Sequence, residues 1–309
     1  MPEAPLVSIV ICSLDGERFV EQTLASLAAS TYPYKEIILV DNGSGPAMKA
    51  LMERLPENII KITLPRNLGF AAGNNRGIAA SHGEFVILLN DDTEVEPDWI
   101  DAIIERFASD PRICVVGCKI LDMDKKTLQH AGGFVSENGI CTHRGHGEPD
   151  RGQFDEPLDV GYVTGAAFAV RRSIFKLVGL LEESYFPLYF EETEFCHAVQ
   201  QVGGRVVYEP RAVVYHHGMR TSRPFSARYF YRFHRNRLRF VLRNRPRGEW
   251  LRLLVMELRW IAGARQVRQY GPLALAYLST VLELPAILRG RRRHLRRLLA
   301  HRGRLLPRP

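Results

Sequence analysis

Five consecutive apolar residues, Phe85–Leu89, break straight into Asn90-Asp91-Asp92-Thr93, and few folds accept such a boundary. The apolar run is short and does not alternate, which predicts a strand buried on both faces, as in a parallel sheet. Pro97 and the spacing of Trp99, Ile100, Ile103, Ile104 and Phe107 predict a helix next, with Pro97 at its first position. Open α/β sheets collect their ligands beyond the carboxyl ends of the strands. Two adjacent carboxylates placed there repel each other unless a cation lies beside them. A hard divalent ion takes one or two carboxylates and completes its shell from substrate phosphates. Taken alone, the same residues also suit a solvated turn that leads into a helix.

The pattern recurs along the first third of the chain. Leu6–Cys12, Tyr34–Val40 and Ile59–Leu64 read as further strands, alternating with helical spacing over Phe19–Ala28, Met48–Leu55 and Asn74–Ser81. Such alternation predicts right-handed βαβ units, hence an α/β, Rossmann-like, mostly parallel sheet with helices on both faces. Asp41, in Asp41-Asn42-Gly43-Ser44, falls at a strand end as Asp92 does; it suits either a turn or a carboxylate that accepts a pyrimidine imide N–H. The segment from Arg66 and Asn67 to Asn75 offers donors, and Gly69 and Gly73 offer room for a phosphate or a base. The glycine fingerprint of dinucleotide-binding proteins and the Walker phosphate loop are both absent.

Charge divides the chain. Of 42 Lys and Arg, 22 follow Ser222, along with 3 of the 34 acids; the tail is +19, the first 222 residues are −11, and the whole is +8. We therefore expect two domains, residues 1–222 and 223–309, the second a basic α-helical extension. Arg228–Arg235 interleaves Tyr and Phe with arginine, and Trp250–Trp260 is an apolar and basic helical pattern. Long amphipathic basic helices suit an anionic membrane surface better than RNA. Pro272–Leu288, interrupted by Glu283 and Pro285, is short for a bilayer span, and no signal-peptide pattern opens the chain. Five scattered cysteines without a CxxC pair suit a reducing compartment. These features predict a cytoplasmic protein, peripheral at the inner face of the cell membrane.

The ordered segments VSIVICS, ILVDNGS, RNLGFAAGNNRG and FVILLNDDT resemble those of family 2 glycosyltransferases of the GT-A fold, nearest the bacterial rhamnosyltransferase-like branch. The likeness continues through Gly165–Arg172, Tyr189–Cys196, Val214–Gly218 and Arg235–Phe240. It implies that Asp41 binds the base, that Ser13 and Asp15 contact the nucleotide, and that Arg66, Asn67 and Asn75 lie beside it. It also implies Asp91 near the ribose, Gly165 among the nucleotide-sugar contacts, and Asp92 with His216 on Mg2+ or Mn2+. The catalytic base is implied at Glu192, with Glu191 beside it, where the family usually has Glu-Asp. Asn90 stands where many members have Asp. Acids at a helix start are also favoured by the helix dipole alone. Asp122–Gln153, with His130, His143 and His146, shows no strand or helix period and reads as loops over the site.

The implied activity is inverting transfer of a sugar from a nucleoside-diphosphate donor to a glycan or lipid-linked acceptor. Branch likeness puts rhamnose on a dTDP carrier first and UDP-sugars next. A nucleotide-sugar-binding protein without catalysis and a nucleic-acid-binding protein acting through its tail are the rival readings; nucleic acid is not the expected partner.

Overall fold

The computed structural model describes residues 4–218, 226–263 and 267–301. By contacts these fall into two units, one comprising residues 4–133 and 143–218, the other residues 134–142 with those described after 225. The boundary expected at 222/223 lies outside the described residues. Residues 134–142, expected to be loops of the catalytic part, group with the helical unit.

In chain order the elements are β1 (Val7–Ser13), α1 (Glu17–Ala28), β2 (Lys35–Asp41), α2 (Pro46–Arg54), β3 (Ile59–Thr63), α3 (Phe70–Ala80), β4 (Phe85–Asn90), β5 (Thr93–Val95) and α4 (Trp99–Ser109). There follow β6 (Ile113–Asp122), β7 (Leu128–His130), β8 (Gly133–Val135), β9 (Cys141–His143), β10 (Leu158–Asp159), β11 (Ala167–Arg171), α5 (Phe175–Val178), α6 (Glu191–Gln201) and β12 (Arg205–His216). Three helices complete the chain: α7 (Ala227–Asn244), α8 (Trp250–Gly263) and α9 (Tyr270–His301).

The first unit is built on a ten-stranded sheet of order β10-β12-β6-β11-β4-β1-β2-β3, with β5 on β12 and β7 on β6. The run β3-β2-β1-β4 is parallel, as is β6 with β12, while β11 is antiparallel to both β4 and β6. The expected mostly parallel α/β sheet of the GT-A type is present.

Strand parity sorts the core. Val7, Ile9 and Ile11 of β1 pack in one cluster with Val20 and Leu27 of α1, Leu51 of α2, and Trp99, Ile103 and Phe107 of α4. The alternate residues Val10 and Cys12 face α3. A Cβ on Gly77 would lie 2.2 Å from Val10, and one on Gly73 would lie 2.3 Å from the Cys12 sulfur, so α3 sits on the sheet only because these positions are glycine. Gly73 therefore makes room for β1, whereas the sequence suggested room for a ligand. Helix α3 also begins four residues before the expected Asn74, and α4 begins at Trp99 with Asp98 as its cap, two residues beyond Pro97. Asp122–Gln153, expected to be loops, includes the short strands β7, β8 and β9, the last two paired in a sheet of their own.

In the second unit, α7 is held to its neighbours by one buried ion pair and by partly buried ones. Arg237, 1 % exposed, donates to Glu257 of α8 and to the Asn138 carbonyl, and Tyr277 of α9 donates to the same glutamate. Arg235 and Arg239 donate to Glu283 of α9. The segment expected to be short for a membrane lies inside the 32-residue α9, which runs on through Pro285. By length and composition α9 is long and apolar enough to cross a membrane; 22 % of its most apolar window is buried.

Candidate active site

The parallel register brings the polar strand ends level. Ser13 pairs with Asp41 across β1 and β2, and Cys12 pairs with Asn90 across β1 and β4. Sequence segments far apart thus open onto one edge, the position at which an α/β sheet receives ligands.

Asp41 is fully buried. Its Oδ1 accepts the Ser44 backbone N–H at 2.8 Å, while Oδ2, equally buried, has no hydrogen-bond partner. A buried carboxylate oxygen without a donor is costly, so a donor such as a pyrimidine imide fits it. Ser44 Oγ also accepts the Asp15 N–H at 2.9 Å, and Asp15 Oδ1 accepts the Gly45 N–H at 3.0 Å. The β1 and β2 loops are thereby tied into one cradle. Ser13 Oγ donates to Asp91 Oδ2 at 2.5 Å. A Cβ on Gly16 would fall 1.8 Å from that same oxygen, so glycine is required for the loop to pass Asp91.

The expected nucleotide loop divides in two. Arg66 and Asn67 are exposed, but Asn67 Oδ1 accepts the Gly69 N–H at 2.8 Å and shapes its own loop. Asn75 is buried, and its amide is taken up by Leu181 and by Glu183 at 3.0 Å. The structure therefore places Asn75 against the loop that leads to α6. Gly165 lies against Phe70, the first residue of α3.

Asp92 and His216 come together at the far end of this edge. β5 is antiparallel to β12, which sets His216 opposite Thr93 and leaves its Nε2 3.2 Å from Asp92 Oδ1. Gln129, which the sequence did not single out, decides how the imidazole is held. Its Nε2 donates to Asp122 Oδ1 and to the His216 carbonyl, so Oε1 is the atom that meets His216 Nδ1 at 2.8 Å. Nδ1 then carries the proton, and the Nε2 lone pair points towards Asp92 and the Asn90 amide, 3.1 Å away. Two acceptors facing each other at 3.2 Å form an arrangement that a shared cation stabilises. Histidines that bind metals are oriented in this way, with the other ring N–H fixed by an acceptor. Among the described residues no three His, Cys, Asp or Glu side chains converge as a metal cage. The pair thus fits a divalent ion that draws its remaining ligands from a diphosphate and water.

The acidic cluster opens α6. Tyr189 and Phe190 both have left-handed backbones (φ +84° and +79°), an uncommon pair of non-glycine residues in that region, and strain of this kind collects at functional sites. Glu191 is buried, and its Oε2 has no hydrogen-bond partner. Burial, and then the neighbouring Glu192, push the Glu191 carboxyl well above the usual carboxylate range. Burial pushes Glu192 up to about 7. Glu194, the third acid, is taken by the Tyr185 hydroxyl. The loop before α6 reaches α3 through the Phe70 N–H, which donates to the Pro187 carbonyl at 2.8 Å.

Comparison with known proteins agrees with this architecture. Residues 8–179 match the model of the glycosyl transferase family 2. An uncharacterized protein y4gI of Sinorhizobium fredii is 35 % identical over 230 residues, covering 70 % of this chain but only 25 % of that protein, so the chain spans about a quarter of this relative's length. The N-acetylglucosaminyl-diphospho-decaprenol L-rhamnosyltransferase of Mycobacterium tuberculosis is 30 % identical over 299 residues, with 89 % of this chain and 92 % of that one covered. Among solved structures, GalNAc-T7 with UDP, GalNAc and Mn2+ superposes with a TM-score of 0.61 at 20 % identity, over 78 % of this chain and 48 % of that one, a likeness of fold. With polar strand ends on a GT-A sheet and a family match over more than half its length, this chain belongs to glycosyl transferase family 2.

Proposed function

We propose that the protein is an inverting glycosyltransferase that moves a sugar, first among them rhamnose, from a dTDP- or UDP-linked donor to a hydroxyl of a glycan or lipid-linked glycan. The observation that carries this reading is the meeting of Asp92 Oδ1 and His216 Nε2 at 3.2 Å, at the edge where Asp41 offers an unpartnered oxygen. Asp92 and His216 would hold Mg2+ or Mn2+; when bound, the ion supplies charge neutralisation to the leaving diphosphate. Asp41 accepts the imide N–H of the base, and Asp91, held by Ser13, faces the ribose.

Glu192 takes the proton of the acceptor hydroxyl as its oxygen bonds to the anomeric carbon. The bond from that carbon to the diphosphate oxygen breaks on the opposite face, and the configuration inverts. A base with a pKa of about 7 is matched to neutral pH. Neighbouring carboxyls do not ionise together readily, so the buried and more strongly raised Glu191 keeps its proton while the half-buried Glu192 gives its own up. The M. tuberculosis relative's name supplies the model acceptor, a glycosyl-diphosphate polyprenol. Residues 1–222 are read as the catalytic domain and 223–309 as the membrane-associating region, on the inner face of the cell membrane.

The test is release of nucleoside diphosphate and labelled product from a panel of dTDP- and UDP-sugars with a polyprenyl-diphosphate glycan. Product with at least one donor, lost on chelation of divalent ions, is expected. Tight donor binding without product would leave a nucleotide-sugar-binding protein in its place.

A further inference from the structure

Helices α8 and α9 carry apolar residues on faces that the second unit leaves uncovered. On α8, Leu251, Leu254, Val255 and Leu258 follow the i, i+3, i+4, i+7 spacing of one helix face and are all exposed, Leu251 to 74 %. Arg252 and Arg259 border that stripe. The opposite side of α8 is the packed one, with Leu253 and Glu257 buried. On α9, Leu275, Leu278, Val281 and Leu282, at i, i+3, i+6 and i+7, form a second exposed apolar stripe, with Leu282 exposed to 73 %. Single exposed leucines need no explanation, but two apolar stripes in one unit mark a contact surface.

What covers this surface is indicated by charge. The exposed face of α9 changes character along its axis: beyond Leu282 and Ala286 the same face carries Arg289, Arg292, Arg293 and Arg296, again at i, i+3, i+4, i+7. These four arginines line a groove of about 360 Å³. The carboxylates of α8 and α9 are Glu257 and Glu283, and both are taken up by arginines of α7. Arg252 of α8 pairs with Glu137, but α8 and α9 place no acid of their own on the outward faces, which therefore present leucine and the Arg289–Arg296 row. A second copy packed in parallel would set arginine against arginine. The matching surface is apolar in depth and negative at its rim.

We infer that the α8–α9 face docks on an anionic phospholipid bilayer, with the leucine stripes in the acyl boundary and the Arg289–Arg296 row on lipid phosphates. This rests on the reading of the C-terminal region as membrane-associating and specifies the face and the lipid chemistry. About 1.5 Å of rise per residue separates Leu278 from Arg292 by roughly 20 Å. So long an axial separation makes α9 enter obliquely, its leucine half deeper than its arginine half. The ion pairs of Glu283 with Arg235 and Arg239 keep the polar side of α9 on α7 and its apolar side free for lipid.

The experiment is flotation of the full chain with phosphatidylcholine vesicles, with and without phosphatidylglycerol. Binding is expected only with the anionic lipid and is expected to weaken steeply with salt. Replacing Arg289, Arg292, Arg293 and Arg296 together by Gln should lower it at least about a hundredfold, whereas the fourfold Lys variant retains it. Leu278→Gln with Leu282→Gln should lower it with the arginines intact. Circular dichroism melting of each variant shows that the helices remain folded. Equal binding to neutral and anionic vesicles, or wild-type binding by the Gln variant, overturns the inference. So does a lipid-free dimer, seen by light scattering, that the Leu278→Gln and Leu282→Gln pair dissociates. Nucleoside diphosphate release without vesicles is followed in parallel: its loss counts against the transferase reading alone, and vesicle binding decides the docking face.

Discussion

His216 Nδ1 lies 2.8 Å from Gln129 Oε1, and this bond determines which face of the imidazole looks at Asp92. The two residues are 87 positions apart and meet because β7 and β12 both pair with β6. Gln129→Leu removes the acceptor while keeping bulk, so His216 can turn or change tautomer. We expect Mn2+ affinity, measured by titration calorimetry in the presence of nucleoside diphosphate, to drop about 10- to 100-fold, as for other partners of metal-bound histidines. Nitrogen chemical shifts of His216 report the tautomer directly. Unchanged shifts and affinity would show that Gln129 has no such part.

Asp92→Asn keeps volume and removes one charge from the pair. Metal-dependent nucleotide binding should be lost while the melting temperature stays close to wild type, because the Asp92 contact to the His217 N–H is made by the backbone carbonyl and survives. His216→Ala should weaken the same binding. Calorimetry with and without Mn2+ checks both, and wild-type metal dependence in Asp92→Asn contradicts the assignment.

Asp41→Asn tests the base contact. The Oδ1 bond to Ser44 can be kept by the amide oxygen, while the unpartnered Oδ2 becomes an NH2 that donates where the imide must donate. Affinity for uridine or thymidine diphosphate is expected to fall at least about tenfold, the scale of leaving a buried donor unpaired. Equal affinity in a fluorescence or calorimetric titration would move the base elsewhere.

The pH profile follows from the raised carboxyls of α6. A general base works only when deprotonated, so kcat/KM should rise with pH and level off above an apparent pKa of about 7, the position to which burial moves Glu192. For stability the sign is opposite. Protons stay bound to the folded state above the ordinary carboxylate pKa, so folding free energy declines as pH climbs from the carboxylate range through about 7. Glu192→Gln should abolish the rise in kcat/KM and lessen the stability trend, which the buried Glu191 still sustains, and should lower transfer by at least ~10^2-fold with donor affinity kept. Glu191→Gln, which mimics the protonated form, should be milder. The reverse order in steady-state rates would make Glu191 the base.

Arg237→Ala should destabilise the second unit by about 3–5 kcal/mol, because it leaves Glu257 buried without its cation. Chemical denaturation followed at the three described helices α7, α8 and α9 measures it. The double variant Arg237→Met with Glu257→Met should recover much of the loss, since the cost comes from the stranded charge.

Local chemistry made much of this protein legible from its sequence. Unalternating apolar runs such as Phe85–Leu89 specify strands buried on both faces, and polar residues directly after them mark the ligand edge, because a buried strand cannot carry them. The charge division at Ser222 and the amphipathic spacing of α8 are likewise properties of neighbouring residues. Other features depend on positions far apart in the chain that only folding brings together. Gln129 carries no motif and becomes meaningful when β6 sets it beside His216. Gly73 and Asn75 sit in a motif that suggests a ligand, yet close packing assigns one to β1 and the other to the loop before α6. In the sequence Glu283 and Pro285 interrupt an apolar stretch, but α9 runs through both, and Glu283 is paired with Arg235 and Arg239 of α7. The sequence determined the strands, the ligand edge and the basic tail through short-range periodicity. Which polar side chains were left facing one another, and which glycines served packing, was decided only by the tertiary structure, through desolvation and close contact between distant segments.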